Sequence, residues 1–416
     1  MSALGDNVRN KRLAAGLTQE ELAHAAGIAP STVAKLEQGG SVRIETLHKL
    51  ARALHLKTSD LMASGTPGAL GGEPSAVGLV ELRNALTPPV GLDDSRSEIS
   101  ETPDLTALRE VIRQGASSYA ALKLEPVAAH LPKIIRDSTS AVAHFDNGPE
   151  SERALLLRSE ALLLSGRYLT AVRQFDLAYC ALSGAIRDAL AVDDTDTASV
   201  SIGIMSWLMT RQGRFDDAER LAVETAERIE PRISQATSER LCSWGWLALH
   251  GAAAAVRNNR PEEAEEIRRI AASAASALSN QSVETACHGR SGRFDSTIVE
   301  MKALEDELIK KDGDPYKVIE KSTGKAFLSD HAMKLAKVPE TDNEWNRHRL
   351  TVASAYVMVG DHDNAMDRLV AIEYKNADWL THQRPALDIV RTVVQRRKRK
   401  LTRDMRRLSA LLMVDA

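Results

Sequence analysis

Apolar residues fall three and four positions apart along most of this chain, the spacing of a helix that buries one face. The first stripe runs from about Leu4 to Ala15. The next segment, Leu17 to Gly39, reads LTQEELAHAAGIAPSTVAKLEQG and predicts two short helices meeting at a tight turn. Thr18 followed by Glu21 predicts a capping box ahead of Leu22. Ala23 is small where two helices would cross, Gly27 breaks the pattern, and Ile28 tucks under the turn. Pro30 suits a first helical position, which needs no amide hydrogen. Val33 and Leu36 then face inward, leaving Ser31, Thr32, Lys35 and Gln38 outward. Ile44, Leu47, Leu50, Ala51 and Leu54 make the stripe that follows.

The outward set suits DNA, because hydroxyl, lysine and amide groups on a helix of groove-filling width can read base edges or hold phosphates. An ordinary helical hairpin with a solvated polar face is the plainer alternative. The wider frame favours DNA. On T-Q-E-E-L-A…G-I…S-T-V…L-E-Q-G, residues 1–62 resemble the five-helix DNA-binding module of the phage-repressor (Cro/C1, or Xre) family. The resemblance implies that Gln19 grips phosphate and supports base reading, and that Ser31 and Lys35, with Thr32 beside them, contact bases. It gives Gln38 and Arg43 backbone contacts, and Arg12 and Glu37 a structural ion pair. Two departures stand out. Pro30 replaces a base-reading amide found in several relatives. Ala29 stands where a hydroxyl cap is usual, at a cost of roughly 1 kcal/mol.

Residues 63–104 read as a linker. ASGTPGALGGEPS is a glycine-, proline- and serine-rich tether, AVGLVELRNAL a short helix ended by Pro88 and Pro89, and GLDDSRSEISETPD a polar, acidic loop. From Leu105 to residue 416 the pattern is helical throughout, and no alternating run argues for strands. Pro126, Pro132, Pro149, Pro231, Pro261, Pro315 and Pro339 are expected between helices. A spaced motif recurs: Gly166-Arg-Tyr168-x-x-Ala171, Gly213-Arg-Phe215-x-x-Ala218, Asn259-Arg-Pro261-x-x-Ala264, Gly313-Asp-Pro315-x-x-Val318 and Gly360-Asp-His362-x-x-Ala365. Each is expected at a turn between two helices. The motif resembles the tetratricopeptide hairpin but departs from its period of about 34 residues, since the anchors lie 47, 46, 54 and 47 residues apart. The expected fold is therefore all-α: a lambda-repressor-like module followed by a tetratricopeptide-like α-solenoid, with a less regular helical bundle as the alternative. A basic helix from Arg384 closes the chain, with Leu401, Leu408, Leu411 and Leu412 on its apolar side.

Composition narrows the picture. A formal net charge of −3 excludes a globally basic nucleic-acid coat. Residues 1–62 carry eight Lys/Arg against six Asp/Glu, so one copy should bind DNA weakly and a homodimer on a palindromic operator is the natural remedy. Cys180, Cys242 and Cys287 match no metal spacing and are expected as buried thiols in a reducing cytoplasm. No membrane segment, metal motif, phosphate-binding glycine loop or nucleophile elbow is present, so neither an enzyme nor a cofactor is expected.

If the first helix of each repeat lines a concave face, Arg153, Trp207, Trp246, His250, Arg257 and Arg347 point into it. That mixture suits an effector bearing a carboxylate or acidic residues. The same residues could equally be core tryptophans and solvated arginines. The whole chain resembles, in architecture, actinobacterial Xre regulators and the peptide-sensing quorum regulators of Gram-positive bacteria. It is expected to be a dimeric, effector-controlled transcriptional regulator bound to double-stranded operator DNA in the cytoplasm. A scaffold or partner-controlled regulator, its repeat domain holding another protein, is the alternative.

Overall fold

The computed structural model describes residues 3–40, 44–54, 56, 61, 76–89, 102–279, 292–397 and 400–414. Every regular element among them is helical. The chain divides into two compact units, Met1–Glu81 and Leu82–Ala416.

The first unit holds α1 (Ala3–Ala14), α2 (Gln19–Ala26), α3 (Pro30–Glu37) and α4 (Ile44–Ala53). Its core is the expected stripe set. Val8, Leu22, Ala23, Val33, Leu36, Leu50 and Ala51 are buried together, with Leu17 and Ile28 partly covered at the edge. The expected fifth helix falls mostly outside the described residues. Leu61 alone is described; it is fully buried, and its carbonyl accepts from the Asn7 side chain at 2.6 Å. The expected linker helix is present as α5 (Ala76–Leu86).

The second unit runs through α6 (Leu105–Ala120), α7 (Leu124–His144), α8 (Pro149–Ala171), α9 (Phe175–Ala191), α10 (Thr195–Arg211), α11 (Phe215–Arg228), α12 (Ser238–Arg257) and α13 (Pro261–Ser279). It continues with α14 (Ser296–Glu307), α15 (Pro315–Ser322), α16 (Asp330–Leu335), α17 (Asn343–Met358), α18 (His362–Thr381), α19 (Arg384–Arg396) and α20 (Arg403–Leu411). Successive helices pack on one another as antiparallel pairs, α6 on α7, α8 on α9, α10 on α11, α12 on α13 and α17 on α18. Late in the chain, α18 also meets α7.

One turn is used six times. Leu122, Arg173, Asp193, Gly213, Asn259 and Gly360 each adopt left-handed backbone, with φ from +55° to +81°. In every case the next residue's amide donates back across the turn at 2.8–3.0 Å, for example Arg214 to the Met209 carbonyl and Asp361 to that of Tyr356. This is the closure that satisfies orphan carbonyls at a helix end. The residue after that starts the following helix. Five positions beyond each turn residue comes a small buried side chain: Val127, Ala178, Ala198, Ala218, Ala264 or Ala365.

This register corrects the motif at its first anchor. Gly166 lies inside α8, where a Cβ would come within 2.5 Å of the buried Leu182 side chain; it is a crossing point, not a turn. The hairpin of that anchor turns seven residues later, at Arg173-Gln-Phe175-x-x-Ala178. Gly313 precedes α15 without left-handed backbone. Two prolines also depart from expectation. Pro126 sits in the first turn of α7, where no amide is required, and Pro132 lies within that helix, buried beside Leu131, Ile134 and Ile135. The basic C-terminal stretch is two helices, α19 and α20, rather than one. Arg407 of α20 pairs with Glu373 and Arg397 with Asp363, both on α18. Among the cysteines, Cys180 is an exposed free thiol and Cys242 is buried and disulfide-bonded, against the expectation of buried thiols. Cys287 is outside the described residues.

Candidate functional site

The first candidate site is the outer face of α3. Thr18 caps α2 as expected: its hydroxyl accepts from the Glu21 amide at 3.1 Å, while the Glu21 carboxylate accepts from the Thr18 amide at 2.7 Å. Gly27, at φ +62°, then reverses the chain. No side chain caps α3 at Ala29, and Pro30 opens the helix. Its far end is closed firmly. Gly39 takes φ +98°, its amide donates to the Leu36 carbonyl at 2.9 Å, and the Gly40 amide donates to that of Lys35 at 2.8 Å. A Cβ on Gly40 would strike the Lys35 stem at 2.6 Å, so only glycine lets the loop leave close beside that lysine.

Burial of Val33 and Leu36 turns Ser31, Lys35 and Gln38 to solvent, with Thr32 half-exposed beside them. Behind this face lies a buried network. The Arg12 guanidinium grips the Glu37 carboxylate through two bonds of 2.7 and 3.0 Å, and also donates to the Leu17 carbonyl at 2.7 Å. Burial alone would raise the Glu37 carboxyl, but the Arg12 and Gln19 hydrogen bonds outweigh it and hold the group below its ordinary range. Gln19 spends its amide nitrogen on Glu37 at 2.7 Å. That bond fixes Gln19 at the start of α2, and leaves its second amide N–H and its carbonyl oxygen for other partners. Arg43 lies outside the described residues.

The second candidate site is a cavity of about 1050 Å³ within the second unit, at the upper end of the range of small-molecule sites. Its helical walls come from the first helix of each of the five pairs, α6, α8, α10, α12 and α17, and from α14. On α8 the lining residues are Leu156, Glu160, Leu163, Leu164, Arg167, Thr170 and Ala171; on α10, Ser199, Val200, Gly203, Ile204, Trp207 and Arg211. Each set follows helical spacing along one face and includes an arginine in the last turns of its helix.

Trp207, Trp246, His250 and Arg347 of the expected set do line this cavity. His250 sits between the two indoles, its ring 5.6 Å from that of Trp246 and 6.0 Å from that of Trp207. Burial, reinforced by the Lys302 charge, pushes its pKa down to about 3, so it is a neutral ring. Arg257 and Arg153 are not in the lining. Arg257 is held by Glu305 at 2.8 Å, with its guanidinium 5.7 Å from the Trp207 ring centre. Arg153, one turn before the first lining residue of α8, reaches Thr106 at 3.4 Å.

Sequence reasoning missed Tyr119, Arg167, Arg211 and Lys302, which the structure adds to the lining. The signal for Arg167 and Arg211 was present: each falls at helical spacing on the same face as the residues that precede it in the lining. At one end the charges are matched. Lys302 lies 2.7 Å from Glu344 and 3.1 Å from Glu305, Asp306 meets Arg268 at 2.5 Å, and Asp342 meets Arg293 at 3.1 Å. Among the described residues, no group of His, Cys, Asp and Glu side chains is placed to hold a metal ion, and no helix is long and apolar enough to cross a membrane.

Residues 8–61 match the family described as Helix-turn-helix. The N-terminal unit is thus a helix-turn-helix module of the Cro/C1 type, the kind carried by DNA-binding transcription regulators. No curated protein and no solved structure matches the chain.

Proposed function

We propose that this protein is a sequence-specific transcriptional regulator whose α3 enters the major groove of operator DNA. The observation that carries the reading is the set Ser31, Thr32, Lys35 and Gln38 on one accessible face, backed by the buried Arg12–Glu37–Gln19 network. Gln38 and Arg43 serve the phosphate backbone, and Gln19 supports the readers beside it. The protein acts as a cytoplasmic homodimer on a palindromic site, because the modest charge of one module calls for two half-sites. The body is a tetratricopeptide-like α-solenoid, a reading supported by the repeated turn and by a cavity lined by the first helix of each of the five pairs. Its cavity takes an effector, a peptide or small molecule, whose occupancy alters operator affinity. The protein has no catalytic role and needs no cofactor.

Genome-wide mapping of sites bound by the tagged protein tests the first claim. A single motif with two half-sites is expected, and binding with no preference over competitor DNA overturns it. A second reading, that the body holds a partner protein, draws on the exposed Tyr316, Phe327 and Leu335, at 67, 63 and 71 % accessibility. Mass spectrometry of the native protein separates the two: a bound small ligand supports the effector, a stoichiometric protein the partner.

A further inference from the structure

The charges around the cavity are not balanced along its length. Seven cationic and five anionic side chains line it. Apart from Glu160 on α8, the anions belong to α14 and to the segment 339–347, where the pairs described above engage them. Two arginines of the lining, one on α10 and one on α17, are not matched in this way. Arg211 makes no ion pair or hydrogen bond among the described residues. Its guanidinium packs 5.7 Å from the Phe175 ring centre, which Arg173 shares at 5.3 Å. Arg347 has only a long contact to Glu344, 3.8 Å, and that carboxylate is already committed to Lys302. The Arg347 guanidinium instead lies 5.7 Å from the Trp207 ring centre.

Arg211 and Arg347 repel one another, and Tyr119 is close enough to feel both. Burial, with the Arg347 and Arg173 charges, pushes the Arg211 pKa down to about 9. A guanidinium keeps its proton in proteins, so this depression expresses the cost of holding an unmatched charge out of water. Two such cations beside an open volume, Arg211 over the Phe175 ring and Arg347 over the Trp207 indole, form a site that lacks only its anion.

We propose that Arg211 and Arg347 seat the carboxylate, sulfonate or phosphate group of a flat, largely apolar ligand whose rings lie against Trp207. The proposal rests on the effector reading and narrows it to an aromatic or similarly flat ligand with one anionic group. The matched charges at the Lys302 end leave no comparable place for a second anionic group.

The test uses two fluorescent probes with the same rings, anilinonaphthalene sulfonate and the neutral phenylnaphthylamine, titrated into the full-length protein. The sulfonate should bind once per chain, at least tenfold more tightly than the neutral probe, since hydrogen bonds to charged groups are worth about that factor or more. Arg211→Gln and Arg347→Gln should each weaken the sulfonate about tenfold and leave the neutral probe unchanged, while Arg211→Lys keeps most of the affinity. Without ligand, Arg211→Gln should melt at the same temperature as wild type or higher, because an unmatched charge has gone. A lower melting temperature overturns the claim that this charge is held at a cost. Equal binding of both probes, or sulfonate affinity unmoved in both glutamine variants, overturns the anion site while leaving the effector reading intact. Failure of both probes to bind the folded protein overturns both.

Discussion

Lys35 is exposed, whereas Glu37, two residues on, is 4 % exposed and locked by Arg12 and Gln19. The two test different things. Lys35→Ala should cost roughly 1–3 kcal/mol on the specific operator and less on random DNA; equal losses in a gel-shift comparison would make it a phosphate contact instead. Glu37→Ala strands the Arg12 guanidinium in the core, so the N-terminal unit should lose about 3–5 kcal/mol in denaturant unfolding. Affinity should fall with it, since Gln19 loses its anchor as well. His348 gives a third residue-scale expectation. It is 2 % exposed, neither ring nitrogen is hydrogen-bonded, and burial, with the Lys302 charge, lowers its pKa to about 3. The unfolded chain therefore takes up a proton below its ordinary value of 6.5 that the folded chain refuses. Stability rises with pH across that window and is lost on acidification, by about 1.4 kcal/mol per pH unit for each such histidine. Melting followed between pH 6.5 and 5 should show a shallower slope in His348→Gln, whatever that variant's absolute stability.

At the scale of elements, α3 is the weakly started helix of the module. Supplying the missing cap with Ala29→Ser should add roughly 1 kcal/mol of stability, read as a higher melting temperature of the N-terminal unit. In the body, Gly166 and Gly213 stand at the same motif position and do different physical jobs. Gly166→Ala drives a methyl group into Leu182 and should cost about 1–3 kcal/mol through overpacking. Gly213→Ala meets no atom within 4 Å and should cost about 1 kcal/mol, through its left-handed backbone alone. Unfolding of the two variants separates the crossing point from the turn. The sequence could not make this distinction, because glycine serves close approach and positive φ equally well. Of the six turns only two use glycine, while Leu122, Arg173, Asp193 and Asn259 hold the same backbone. A search anchored on glycine therefore finds Gly213 and Gly360 and misplaces the first repeat.

Across the whole molecule, what the sequence determined by itself was whatever depends on neighbours three or four residues away. That includes the capping box at Thr18, the Val33 and Leu36 inward face that exposes Ser31 and Lys35, the all-helical body, and the side of α10 that carries Trp207. These follow from helical period and from caps, which are local. Only the tertiary structure decided which charges stand alone. Arg257 and Arg211 look alike as arginines near the ends of their helices, yet Glu305, 48 positions away in the chain, neutralises one and nothing described neutralises the other. Pairing between distant helices sets the desolvation and charge balance of each group, and no local pattern encodes it.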